Sequence, residues 1–433
     1  MPYKSQSDSE KEYKGKTLAS VYFVCQGMSS LLSWSAVLST LDYYNTQFPD
    51  GNVYFIFPAA FSTITIIINF MMIWICKKMS INKRVTGCLV LQVTFLTILP
   101  IISNLMPQSQ LGYWLVLVML TLIGAVNQVS NSSVVGLAGY FPPKYMGRLT
   151  TGSGLGAVIP NLLRMITLLA FSDSSSQTNL REIFMYYGIA GVFLLFCATI
   201  HLGFIKSKYA KTEIRKHTQL YNSFVEVQES AIEPENLSLD DALLDGKIKD
   251  RSKNHFVKQW VTFKEIKTIS IFMVLLYVQT LMLFPGVMLM KKIPDLDPAW
   301  ENAILQIIFN SHDTLGKFLT LKKSLLRKEF AFGVIIFRVV FYFTFIGQIV
   351  LTTIPILNST WFTFVNAALF GLTSGYSSSS LFILGPNSVK GEKKEIVGFI
   401  LINSLCIGFL LGSFLAIPLS SIENATSAAQ KYF

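Results

Sequence analysis

The 433-residue chain has little charge and few of the residues that do chemistry. Charged residues make up 14% of it, against about 25% in an average soluble domain. Histidine occurs 4 times and cysteine 5 times. The cysteines are Cys25, Cys76, Cys88, Cys197 and Cys406. They share no pairing or metal-binding spacing and fall in or at the ends of apolar stretches, where they read as small core residues. Neither H-E-x-x-H nor G-x-x-x-x-G-K-S/T occurs, so zinc hydrolysis and phosphate-loop chemistry lack their residues. The longest hydrophilic stretch, 206–267, is too short for a nucleotide-binding domain, which excludes an ATP-driven pump. No enzymatic activity, metal or cofactor is expected.

Long runs free of charge stand in place of these features. Hydrophobic residues make up 52% of the chain and the mean hydropathy is +0.48. They fall in blocks of roughly 20, the length that crosses a bilayer core as a helix, because only a helix satisfies its own backbone in lipid. Eleven blocks are read: 17–41, 53–76, 85–104, 113–139, 147–172, 183–205, 268–290, 300–320, 330–354, 360–384 and 396–420. The fold class is therefore all-α, a membrane protein of 11 helices. The first block is about 25 residues long and lacks an A-x-A-like site behind it, so it is expected to be a retained helix rather than a signal peptide.

The basic residues orient the chain. With the N-terminus inside and the blocks alternating, inside segments hold 28 of the 36 Lys and Arg, and outside segments hold 4. This is the positive-inside pattern, and it predicts a cytoplasmic N-terminus and an extracellular or lumenal C-terminus. The net charge of +11 is spread over separate loops, which argues against a nucleic-acid partner. The expected organisation is a cytoplasmic tail (1–16), a six-helix half (17–205), a cytoplasmic linker (206–267), a five-helix half (268–420) and an outside tail (421–433). The linker has an acidic centre at 233–245 and reads as partly disordered. Asn424 begins a glycosylation sequon on the predicted outside.

Polar residues within apolar blocks are costly in lipid and point to function. In the eighth block, FNSHDTLGK (309–317) sets Asp313 and Lys317 four apart on one helix face, with Asn310 one turn earlier. Facing a wet cavity, they suit a polyhydroxyl ligand; the plain alternative is an ion pair locking helices together. Arg164 is deep in the fifth block and reads as a structural or gating partner, with substrate contact as the alternative. Arg148 reads as a loop anchor near lipid headgroups. Asp42 and Arg338 are expected to snorkel from helix ends. The stretch 127–157 is rich in small residues, among them Gly139, Gly152 and Gly154, which allow close helix approach. It also carries Asn131 in mid-helix. Trp34 stands away from the interfacial belts, as a packing residue or as a platform for a flat base. Phe284-Pro285-Gly286 marks a helix break.

In this order these segments resemble the equilibrative nucleoside transporter family. The resemblance is carried by Trp34, GLAGYFP (136–142), TTGSGLGA (150–157), Phe284-Pro285, FNSHDTLGK (309–317), GYSSSSLFILGP (375–386) and IGFLLGSF (407–414). It implies a fold related to the major facilitator superfamily, with six and five helices in two halves and alternating access to a central site. By position, Trp34, Ser35, Leu38, Ser62, Thr65, Asn131, Asp313, Lys317 and Phe409 line that site, and Asn310 supports the helix-eight pair. Asp313 and Lys317 fall where family members hold the ribose, Asn131 where a glutamine meets the base, and Phe409 on the apolar wall. Three positions depart from the family pattern: Lys317 where arginine is common, Ser33 where proline is, and Asn131 where glutamine is. The resemblance implies facilitative transport of nucleosides, with nucleobases as an extension. It also implies a monomer in the lipid bilayer, at the plasma membrane or alternatively an intracellular one. Rival readings are a proton symporter using His312, a carrier of another solute, and a non-transporting protein whose linker recruits partners.

Overall fold

The computed structural model describes residues 6–139, 141–170, 176–215, 246–294, 296–320, 322, 324–351, 354–389 and 393–421. The acidic stretch 233–245 and the sequon at Asn424 lie outside them. Among the described residues the chain is helical and has no strand. The helices are α1 (Gln6–Leu38), α2 (Leu41–Gln47), α3 (Val53–Lys78), α4 (Ile81–Leu105), α5 (Gln110–Gly139), α6 (Pro143–Ala170) and α7 (Ser176–Lys206), then α8 (Gly246–Met282) and α9 (Met288–Met290). After these come α10 (Pro298–Leu319), α11 (Lys328–Phe337), α12 (Val340–Val350), α13 (Pro355–Asn358), α14 (Thr360–Asn387) and α15 (Lys393–Ala416).

Ten helical stretches among the described residues are long and apolar enough to cross a membrane. The remaining expected span, 300–320, is α10. Its 22 residues reach about 33 Å, enough to cross, but it carries more polar side chains than the others. Phe343, Leu105, Trp361 and Val192 stand exposed on the outer surface, while Arg164, Arg338, Gln92 and Gln306 are buried. This arrangement, apolar outside and polar within, is the one that hydrocarbon surroundings favour.

Three boundaries differ from the sequence expectation. Helix α1 starts at Gln6, ahead of the apolar block. Helix α8 takes in 246–267, read above as linker. That stretch holds six lysines and no proline, so helix propensity carries the backbone past the membrane boundary. The block 330–354 is divided at Arg338, between α11 and α12. The break expected at Phe284-Pro285 is present: a π segment, Leu283–Val287, separates α8 from α9, and Phe284 is extended (φ −113°, ψ 134°).

Two close helix pairs form the centre, α1 with α6 and α10 with α14, and α6 packs on α10. Each pair meets through glycine. A Cβ on Gly27 would collide with the Leu149 carbonyl, one on Gly152 with Val24, and one on Gly156 with Met28. In the second pair Gly316, Gly371 and Gly375 stand in the same way against Leu372, Phe309 and Asp313. Where the pairs meet, a Cβ on Gly154 would touch Thr314 Oγ1 at 3.3 Å. Small residues thus replace side-chain packing with backbone contact, which lipid cannot match.

Gly147, also on α6, has open space where its Cβ would stand. Gly152→Ala is expected to cost about 1–3 kcal/mol through overpacking, whereas Gly147→Ala is expected to be neutral or slightly stabilising. Thermal unfolding of the two purified variants in detergent separates them; equal melting temperatures would remove the α1–α6 backbone contact as a source of stability.

Candidate functional site

Helix α10 carries the site. Asp297 caps it, accepting from Ala299 N at 2.8 Å, and Pro298 opens its first turn. From this fixed start, Asn302, Gln306, Asn310, Asp313 and Lys317 recur at helical spacing along one face. Asp313 and Lys317 pair at 2.7 Å, with side chains 14% and 27% exposed. They are the wet part of the stripe. The packing of Gly375 against the Asp313 backbone fixes the height of this pair relative to α14. The imidazole of His312 instead meets the Ile308 carbonyl, at 2.7 Å, on its own helix.

The other expected residues are distributed around α10. The ring of Trp34 stacks on Phe61 at 4.2 Å and 22°. Ser35 and Leu38 are buried on α1. Ser62 meets Ser413 of α15 at 3.0 Å, and Thr65 donates to the Phe61 carbonyl of its own helix at 2.7 Å. Asn131 is half-buried and has no side-chain hydrogen bond among the described residues. Phe409 packs edge-on against Tyr277 at 4.9 Å. Asn310 is buried, and its carbonyl accepts from Thr314. Phe284 stacks on Phe309 at 4.2 Å, so the broken helix and Pro285 lean on α10. Arg148 donates to Ser20 Oγ and stands 5.2 Å over the Tyr145 ring, tying α6 to α1. Gly139 ends α5, and its surroundings lie outside the described residues.

Two expectations are corrected. Asp42 does not snorkel: it is 8% exposed and accepts from Arg164 Nη2 at 3.0 Å, while Arg164 Nη1 donates to Glu182. Arg338 does not snorkel either, being fully buried. Its guanidinium donates to the Phe370 carbonyl, Thr373 Oγ1 and Thr280 Oγ1, each at 2.8 Å, and lies 4.3 Å from the Phe370 ring centre. In both cases neighbouring helices supply partners closer than the headgroup region, so the side chain turns inward.

Sequence reasoning missed the upper end of the stripe. Asn302 Nδ2 donates to Asp42 Oδ1 at 2.8 Å, and Gln306 Nε2 donates to the Leu38 carbonyl at 2.6 Å. These bonds join the first half of the chain to the second. A second junction lies towards the opposite ends of α3 and α15, where Asn69 Nδ2 donates to Asn403 Oδ1 at 2.6 Å. Gln128 Nε2 in turn donates to Asn69 Oδ1 at 3.2 Å. The four-residue spacing of 302, 306 and 310 was visible in the sequence. The partner of Asn69 was not, because 334 positions separate the two residues.

The family described as Nucleoside transporter matches residues 117–420. Equilibrative nucleotide transporter 1 of Arabidopsis thaliana is 25% identical over 406 residues, covering 92% of this chain and 84% of that protein. Equilibrative nucleoside transporter 1 of Homo sapiens is 22% identical over 350 residues, covering 77% and 74%. Among solved structures, the D-xylose-proton symporter superposes with a TM-score of 0.60 at 13% identity, over 92% of this chain and 88% of that one. The fold of this chain is thus like that of the D-xylose-proton symporter.

Arg338 anchors the broken helix α11–α12 behind this site. Arg338→Lys keeps the charge but cannot reach three acceptors from one fork. It is expected to destabilise the protein by about 2–3 kcal/mol, the cost of losing charge-assisted bonds in a buried place. Thermal unfolding in detergent measures this; a native-like melting temperature would show that the fork is dispensable.

Proposed function

The chain belongs to the nucleoside transporter family, and we propose that it is a facilitative carrier of nucleosides, extending to nucleobases, that works by alternating access. It spans the membrane many times. We read eleven spans in a six-plus-five arrangement with the N-terminus cytoplasmic. The unequal distribution of Lys and Arg supports this orientation, and the length of α10 supports the eleventh span.

The observation that carries the reading is the Asp313–Lys317 pair, partly exposed on the polar face of α10 within an otherwise apolar bundle. A carboxylate and an ammonium held 2.7 Å apart offer acceptor and donor together, which suits the vicinal hydroxyls of a ribose. Lys317 presents a point charge rather than a planar fork, so the hydroxyls have more orientational freedom than an arginine would leave them. Trp34, with Phe61 covering one face of its ring, leaves the other face for a base. Asn131, with no partner of its own among the described residues, is suited to the polar edge of that base. Phe409, held edge-on by Tyr277, supplies an apolar wall.

The direction of net movement follows the nucleoside gradient, and the two junctions between the halves suit alternate opening. Asn302 and Gln306 close the end that the topology makes outer, and Asn69 with Asn403 brace the other. Neutral amides are suited to this duty, because such bonds exchange for water at a net cost of about 1 kcal/mol each.

Uptake of labelled adenosine and uridine into proteoliposomes tests the proposal. Uptake is expected to saturate and to be competed by unlabelled nucleosides. Asp313→Ala is expected to lower it about 10- to 100-fold at subsaturating substrate, the equivalent of one or two charge-assisted hydrogen bonds. Undiminished uptake in the variant would remove Asp313 from the site, and a lack of saturable uptake by the native protein would sink the nucleoside reading.

A further inference from the structure

Two carboxylates share one guanidinium at the latched end of the bundle. Arg164 of α6 is 2% exposed, Asp42 of α2 8% and Glu182 of α7 3%. Arg164 donates to both carboxylates, and Thr167 Oγ1 donates to the same Glu182 oxygen at 3.2 Å. The remaining titratable groups facing the cluster are phenols, neutral at ordinary pH. From α7, Tyr186 and Tyr187 are within electrostatic reach of Arg164. Tyr43 and Tyr44 flank Asp42 on α2, with Tyr44 OH meeting Tyr187 OH at 3.1 Å. Helix α10 contributes the neutral amides of Asn302 and Gln306. Arg181, adjacent in sequence, is exposed, and Glu301 has Lys291 and Lys292 as its electrostatic partners. Among the described residues no second cation is within ion-pair distance of the cluster.

With both acids ionised, the enclosure carries one uncompensated negative charge. A charge out of water must be neutralised or hydrated. Neutralisation takes a proton from water onto one carboxylate oxygen; hydration requires the enclosure to open. A closed hydrogen-bond chain runs from the cluster into the other half. Asp42 Oδ1 accepts from Asn302, Asn302 Oδ1 accepts from Gln306 at 2.7 Å, and Gln306 donates to the Leu38 carbonyl. Atoms in this region that lack partners although their side chains are more than nine-tenths buried include Gln306 Oε1, an acceptor at the end of the chain, Arg164 Nε, a donor in the cluster, and the Tyr186 hydroxyl beside it.

We propose that the Asp42–Arg164–Glu182 cluster is a proton-binding site, occupied when Asn302 and Gln306 latch the two halves and vacated when that end separates. The outward direction of opening rests on the carrier reading; the site itself does not. Because the closed form holds one more proton than the open one, closure is favoured as pH falls and lost as pH rises. Linkage of one proton changes the closed-to-open ratio by up to about tenfold per pH unit between the two affinities.

The test uses purified full-length protein in detergent, without nucleoside, its five cysteines replaced by alanine. Spin labels are attached at Gln110→Cys and Ile356→Cys, exposed positions in different halves at the latched end. Their separation is measured by pulsed electron resonance from about pH 5 to about pH 9, a range on both sides of neutrality. The longer separation is expected to gain population as pH rises. Glu182→Gln, which supplies the neutral form permanently, is expected to hold the shorter separation at every pH; Asp42→Asn serves as the second variant if Glu182→Gln does not fold. A distribution unchanged by pH, or a native response retained in both variants, would overturn the proposal. Failure of nucleoside uptake would leave this result untouched and overturn only the carrier reading.

Discussion

A guanidinium enclosed by apolar helices must find its counter-charge there, and Arg164 finds two. It draws a carboxylate from α2 and another from α7 onto α6, so three helices of the first half are held at one point. Removing one partner of such a buried pair typically costs about 3–5 kcal/mol, because the other is left dry and alone. Arg338 solves the same problem differently in the second half. It takes a carbonyl and two hydroxyls from α14 and α8 and rests on an aromatic ring. Each half thus has a fixed polar centre, and the helices around it have little freedom to shift independently.

Between the halves the chemistry changes. Among the described residues, the contacts there include amide to carbonyl, amide to carboxylate, amide to amide, hydroxyl to hydroxyl and hydroxyl to carbonyl. A shared ion pair holds the first half together and a buried guanidinium with neutral acceptors holds the second, whereas single hydrogen bonds hold the halves to each other. The first kind is expensive to break in a dry interior and the second is readily exchanged for water. This division suits the alternate opening proposed above, in which each half stays intact while the interface between them opens. Glycine contributes on the same terms: Gly27, Gly152 and Gly156 bring α1 onto α6 within one half, and Gly316, Gly371 and Gly375 bring α10 onto α14 within the other.

The Asp313–Lys317 end of α10, proposed above to meet the substrate, and its Asn302–Gln306 end are one continuous face. Lys317 and Asp313 are the accessible end, and Asn302 and Gln306 the enclosed end, of a stripe positioned by a single capped helix. A rigid helix moves as a unit, so a ligand that pulls on Asp313 also loads the bonds at Leu38 and Asp42. This is a mechanical reason for binding and closure to be coupled in such a fold.

The sequence by itself determined the membrane class, the positions of the apolar spans, the break at Phe284-Pro285 and the pairing of Asp313 with Lys317. Each follows from local rules: the length of an apolar run, the stiffness of proline, the four-residue repeat of a helix. Family membership was legible too, because its motifs are short and ordered. Only the tertiary structure decided which helices the buried charges join. Asp42 and Arg338 were read as surface-seeking because a helix end is all that sequence reveals of them. Glu182 was assigned to a loop because it stands one residue before the apolar block. The partners of Arg164 come from 122 and 18 positions away. No local pattern encodes such a distance; it is set by how closely glycine lets the helices approach and by the cost of leaving a charge in oil without a partner.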